Sequence, residues 1–79
     1  MKVRFFAGAA EAAGAEEVTL DAKELTVKDA VGQLGQDNPR LAEVLRASSL
    51  LADGLRVSDP ETSLAEVAQL DVLPPFAGG

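Results

Sequence analysis

The sequence predicts an α+β fold, a mixed sheet of four to five strands crossed by one principal helix. Three observations carry that expectation. Apolar residues alternate with period two near both ends, at Val3 and Phe5 and again at Leu70 and Val72, as in strands with one buried face. Between them, Val27, Ala30, Val31 and Leu34 recur at the i, i+3, i+4, i+7 spacing of one helical face. Asp53-Gly54 separates two short apolar runs, a hairpin signal, because the central residues of a type I′ turn need positive φ.

The elements follow in order. Lys2 to Ala7 is the first strand, with Val3 and Phe5 on one face and Arg4 and Phe6 on the other. Gly8 to Gly14, alanine-rich and bounded by glycines, is a loop or a short helical turn. Glu16 to Leu20 alternates through Val18 and Leu20 and pairs with the first strand as a hairpin with a long connection. Thr26, three residues before Asp29, makes a capping-box-like start for a helix from about Val27 to Leu34, with Gly35 as its stop. Asn38-Pro39 supplies a cap and a first helical residue for a second, shorter helix carrying Leu41, Val44 and Leu45. Leu50-Leu51-Ala52 and Leu55-Arg56-Val57 form the hairpin. Ser58 to Glu61 is a polar turn, Leu64 to Ala68 a helical turn, and Leu70 to Leu73 the last strand. No repeat or internal linker interrupts this order. It describes a β-grasp domain over residues 1–73, with 74–79 left as an extended tail. A helix-covered sheet also follows from packing, since each strand has one clearly apolar face to bury.

Composition excludes several functions. A chain of 79 residues makes one small domain that buries only about 60–65% of its surface. With 47% hydrophobic residues but only three phenylalanines, aliphatic packing holds it together. A formal net charge of −6, and seven basic residues scattered along the chain, argue against a phosphate-binding surface. No aromatic platform for bases exists beyond Phe5, Phe6 and Phe76, so nucleic acid is not an expected partner. No apolar run approaches the roughly 18–20 residues of a membrane span, and the first residues enter a strand without a signal-peptide layout. A soluble, cytoplasmic protein without membrane contact is expected. Neither cysteine nor histidine is present, which removes disulfides, thiolate metal sites and the commonest general base. The thirteen carboxylates fall into no metal or acid/base spacing and read as solvated, so no stably bound cofactor is expected.

The most informative segment is Pro74-Pro75-Phe76-Ala77-Gly78-Gly79. Two glycines can thread a channel too narrow for any Cβ, which exposes the Gly79 carbonyl carbon to another protein's active site. The two prolines hold their own φ near the polyproline value and make the approach extended and semi-rigid, at about 3.1 Å per residue. A merely frayed end needs no such spacer. The reactive group is therefore expected to be the chain end itself, on a flexible Gly-Gly tip.

Leu50 to Val57, the turn Asp59-Pro60-Glu61-Thr62, Leu64, and above all Leu73 to Gly79 resemble the molybdopterin synthase small subunits, a family of ubiquitin-like sulfur carriers. Met1 to Ala7 is similar to that family's first strand, and the likeness covers the whole chain in order and spacing. Family members commonly have an Asp-Gly-Asp-like turn where this chain has Glu66-Val67-Ala68, and many have Val-Asn-Gly in place of Ala52-Asp53-Gly54. These departures bear on subfamily rather than on fold. The resemblance implies that Gly79 is adenylated by an E1-like enzyme using ATP. A persulfide-bearing protein then converts it to a thiocarboxylate, and the tail enters the synthase large subunit to supply sulfur to a pterin precursor. The chain brings no catalytic side chain of its own.

Partners must also find the globular body. If Val3, Phe5, Leu70 and Val72 face the helix, Phe6 and Leu73 project to the other side of neighbouring strands. Leu51 and Leu55 are expected to extend that patch. Phe76 is expected to anchor in a partner's groove, and Arg4 and Arg56 to be solvated. Two further readings stay open: a sulfur carrier for another acceptor (thiazole, cysteine, tRNA) or a protein modifier, and a non-covalent β-grasp module with an inert tail.

Overall fold

The computed structural model describes residues 1–75. Its elements are β1 (Lys2–Phe5), α1 (Gly8–Ala13), β2 (Glu17–Thr19), α2 (Val27–Gly35), α3 (Pro39–Ala47), β3 (Ser49–Ala52), β4 (Leu55–Val57) and β5 (Gln69–Leu73). The strands form one five-stranded sheet in the order β2-β1-β5-β3-β4. At its centre the first and last strands run parallel, while the other neighbours are antiparallel. This is the expected mixed sheet, and its topology is that of a β-grasp domain.

One face of the sheet is dry. Val3, Phe5, Leu50, Leu70 and Val72 point into a core completed by Ala9, Ala12, Val27, Ala30, Leu41, Leu45 and Leu64. Each buried Val, Leu or Phe contributes about 1.5–3 kcal/mol, and the alanines let the helices lie close. Among the described residues no polar or charged side chain is buried, and no helix is long and apolar enough to cross a membrane.

Local chemistry sets the helix ends. At α2 the Thr26 hydroxyl accepts from the Asp29 N–H (3.3 Å), and the Asp29 carboxylate accepts from the Thr26 N–H (3.1 Å) and hydroxyl (3.0 Å). Those bonds, the one from the backbone N–H foremost, hold the Asp29 carboxyl below its ordinary value of 3.8. The remaining first-turn donors are satisfied from outside the helix. Val27 N–H donates to the Thr62 carbonyl and Lys28 N–H to the Pro60 carbonyl, both at 2.9 Å. At α3, Asn38 works in two directions. Its Oδ1 accepts from Leu41 N–H (3.0 Å), and its Nδ2 donates to the Ala12 carbonyl at the end of α1 (2.8 Å). Of the two readings for this segment, a loop or a short helical turn, the structure has the helical one, α1, closed by Gly14 in the left-handed region (φ 74°).

The hairpin turn is type I′, with φ of 49° at Asp53 and 86° at Gly54. Asp53 also reaches across to β5. Its N–H donates to the Gln69 carbonyl (2.9 Å) and its carboxylate accepts from the N–H groups of Ala68 and Gln69. The turn residue therefore pins the entry of the central strand.

Several details depart from the sequence reading. The second helix is not shorter, for α2 and α3 have nine residues each. Gly35 is the last residue of α2, so the helix ends where expected, but it ends in right-handed backbone at Gln36 rather than in a left-handed glycine cap. A Cβ at Gly35 would stand 2.8 Å from Ala42 Cβ, so the glycine serves the α2–α3 approach. Leu64 to Ala68 is a tight turn, Val67 N–H donating to the Leu64 carbonyl (3.1 Å), and it drops Leu64 into the core. The first strand ends at Phe5 instead of Ala7, because Ala7 takes a positive φ of 49° to swing the chain into α1.

Two outcomes follow from this packing. Gly35→Ala should lower stability by about 1–3 kcal/mol through overpacking, and adding Ala42→Gly should recover part of the loss, as read from urea unfolding. The neighbours Val72 and Leu73 should respond oppositely to aspartate. Val72→Asp puts a charge in the dry core and should unfold the domain, whereas Leu73→Asp, on the opposite face, should retain a cooperative thermal melt by circular dichroism.

Candidate functional site

Directly paired residues share a face of a sheet, so the ladders show what the outer face presents. One row crosses all five strands: Glu17, Arg4, Asp71, Leu51 and Arg56, each opposite the next. Leu73 lies farther along β5, opposite Ser49. Phe6 follows β1 and donates its N–H to the Val72 carbonyl (3.2 Å). The parallel register therefore carries on one residue past β1 and brings Phe6 level with Leu73. Phe6, Leu51 and Leu73 are all half-buried. The Arg4 guanidinium stands 5.1 Å from the centroid of the Phe6 ring, within cation–π range. That contact leaves less of the ring open to solvent than an isolated aromatic would have.

Leu55 does not join this group. It pairs with Ala52, which in turn pairs with the enclosed Leu70, so its side chain belongs to the helix-side face. A two-residue turn makes this unavoidable, since the residues flanking the turn oppose each other and point the same way. Leu51 is one residue before Ala52, the partner of Leu55, so Leu51 and Leu55 lie on opposite faces. Leu55 is 75% exposed and borders a shallow hollow in which Ala52, Val57 and Val67 are flanked by Asp53, Arg56, Ser58, Asp59 and Thr62.

The tail root is placed by the centre of the sheet. β5 ends at Leu73; Pro74 is half-buried and Pro75 exposed. Both prolines border a groove whose other walls are Ala7, Gly8, Glu43, Val44 and Ala47. The exit thus runs between the start of α1 and the last turns of α3. Phe76, Ala77, Gly78 and Gly79 lie outside the described residues. Sequence reasoning missed the role of α3 in this exit and the stacking of Arg4 on Phe6. Both depend on tertiary placement, and no local pattern announces them.

Among the described residues, no group of three or more acidic or other metal-ligating side chains is gathered. The face as described presents apolar contact and charge.

The profile of the ThiS family matches residues 3–79. No curated protein matches the chain. SAMP1 from Haloferax volcanii has a similar structure, with a TM-score of 0.74 at 27% identity over 99% of this chain and 97% of that one. The Haloferax volcanii HVO 2177 protein gives 0.73 at 26% identity, over 99% and 84%. A complex of subunits 1 and 2 of molybdopterin-converting factor from Helicobacter pylori includes a chain that gives 0.69 at 23% identity, over 99% and 96%. That last likeness concerns the fold alone. A family match running through the Gly-Gly end, on a β-grasp body, leads to one assignment: the chain belongs to the ThiS family of ubiquitin-like sulfur carriers.

Proposed function

We propose that the chain carries sulfur as a thiocarboxylate on Gly79 and donates it to a pterin precursor in molybdopterin biosynthesis. The observation that carries the reading is where β5 leads. The central strand, paired on both sides, delivers Pro74 directly after Leu73, at the groove between the start of α1 and the last turns of α3. A partner that grips the outer face thereby receives the tail at a fixed place. Residues 1–73 serve as the docking body and 74–79 as the reactive arm.

The chemistry needs help because a carboxylate, with an ordinary pKa of about 3.3–3.7 at a chain end, is ionised near neutral pH and is a poor electrophile. In an adenylating, E1-like enzyme the Gly79 carboxylate attacks the α-phosphorus of ATP, and pyrophosphate leaves. A persulfide on a sulfur-donating protein attacks the acyl-adenylate carbonyl, and AMP leaves. A second thiol of the donor then cleaves the acyl disulfide, forming a protein disulfide and releasing –COS⁻ on Gly79. When the thiocarboxylate sulfur attacks the acceptor in the large subunit, water takes the carbonyl carbon and restores the carboxylate. Through each step the chain's own part is to position: Phe6, Leu51 and Leu73 dock, Pro74 and Pro75 stiffen the approach, Phe76 anchors, and Ala77, Gly78 and Gly79 thread.

One observation favours a second acceptor. The likeness to a small archaeal modifier protein, at 27% identity, supports a reading in which a lysine amine receives the activated glycine. Activation is common to both readings. Incubation with each acceptor after thiocarboxylation separates them, since sulfur appears in a pterin in one case and the carrier appears on a lysine in the other.

Adding residues after Gly79 should abolish adenylation and sulfur transfer while leaving the melting curve unchanged; sulfur donation by an extended, unprocessed chain would sink the carrier reading. Gly78→Ala should fold normally and react more slowly, since one methyl group obstructs a corridor shaped for bare backbone. Wild-type turnover by both Gly78→Ala and Gly78→Val would show that no such corridor exists.

A further inference from the structure

The outer face carries one charge that nothing on that face balances. In the row that crosses the sheet, Arg4 lies between two carboxylates, Glu17 and Asp71, and stacks on Phe6. Lys2, two residues along β1, is 3.9 Å from the Glu17 carboxylate. Arg56 differs from both. β4 is the last strand of the sheet, so the only cross-strand neighbour of Arg56 is Leu51. Asp53 and Asp59 line the same hollow as Arg56, but their carboxylates accept from the backbone N–H groups of Ala68, Gln69 and Glu61, and among the described residues Arg56 makes no ion pair. Lys2, Arg4 and Arg56 against Glu17 and Asp71 leave the ladder face net positive, in a chain whose formal net charge is −6. Its acid is concentrated elsewhere, on the helices and turns.

An exposed guanidinium held at the rim of an apolar patch is suited to a carboxylate. Its planar fork accepts one bidentately, and the neighbouring Leu51 excludes water from one side of the pair. Lys2 is paired with Glu17 and Arg4 is stacked on Phe6, so among the described cations of this face Arg56 is the one left to meet a partner's carboxylate. Such an arrangement governs orientation and encounter rate more than raw affinity.

We infer that Arg56 is a specificity contact for the adenylating partner, whose docking surface is apolar at its centre and carries a carboxylate against the β4 edge. The inference rests on the carrier reading above. It commits to the adenylating enzyme because every carrier reading requires activation, whatever the acceptor.

The test is ATP–pyrophosphate exchange by the adenylating enzyme of the same cell, with the full-length chain as carrier. Arg56→Glu should raise the KM for the carrier by roughly tenfold or more at low salt, where like charges would face each other. Arg56→Lys should stay within about threefold, keeping the charge but losing the fork. The deficit of Arg56→Glu should shrink in about 0.5 M salt, and kcat should hold, since Arg56 touches no reacting atom. Thermal melts of the three proteins should coincide, Arg56 being exposed. If wild type supports exchange and Arg56→Glu has the same KM at low salt, the Arg56 contact is refuted while the carrier reading stands. If wild type supports no exchange at all, both fall.

Discussion

The parallel pairing of β1 with β5 is the constraint on which the rest of the molecule depends. Two parallel neighbours cannot be joined by a tight turn, and the chain between them must cross over a face of the sheet. Here the crossover is everything from β2 to the turn at Leu64, and it brings α2 and α3 onto the side where Val3, Phe5, Leu70 and Val72 lie. Because β5 is also paired with β3, the last strand to be synthesised becomes the most enclosed. Leu70 and Val72 are fully buried. The end of the chain is thereby tied to the middle of the sheet, and a tail leaving it inherits a fixed origin.

That central strand is held in register by contacts from both directions along the sequence. Asp53 binds the N–H groups of Ala68 and Gln69 at its start, and Lys2 N–H donates to the Ala68 carbonyl. A slip by one residue would exchange Leu70 and Val72 for Asp71 and Leu73 in the core. It would also carry Leu73 inward, so the forces that fix the core fix the outer face with it. Stability and recognition are two sides of one alternation.

Much of this was legible in the residues. Alternation at Val3 and Phe5, the Thr26 and Asp29 cap, Asn38-Pro39 and Asp53-Gly54 each act through near neighbours, and each formed where expected. What escaped was set by contacts distant in sequence. Gly35 ends α2 as glycine commonly does, but the reason for it there, the close approach to Ala42, is visible only in the packing. α1 was ambiguous because six residues scarcely form a helix alone, and its end is secured by Asn38, 26 positions away from Ala12. Leu55 was the one docking candidate set on the wrong face. The pattern of apolar residues around Asp53-Gly54 fits either phase, and the turn geometry decides it. In the candidate site, Phe6, Leu51 and Leu73 could be grouped by alternation alone, whereas the charge row needed the strand order, which puts Arg4 beside Asp71 and Leu51 beside Arg56.

Separating the body from the chemistry also explains what the body lacks. An active site usually requires buried polar groups or strained backbone, and either is a cost that a domain of this size, with its limited core, can ill sustain. Among the described residues no polar side chain is buried, and Ala7 and Asp53 are the only non-glycine residues with positive φ. In the carrier reading proposed above, the chemistry is assigned instead to the Gly78-Gly79 end, past the last strand. Docking surfaces then bear the burden of specificity, and on this sheet they must do so with few apolar side chains. A small patch gives little discrimination by area alone. Discrimination has to come from what borders it, and the border of this patch is defined by charge.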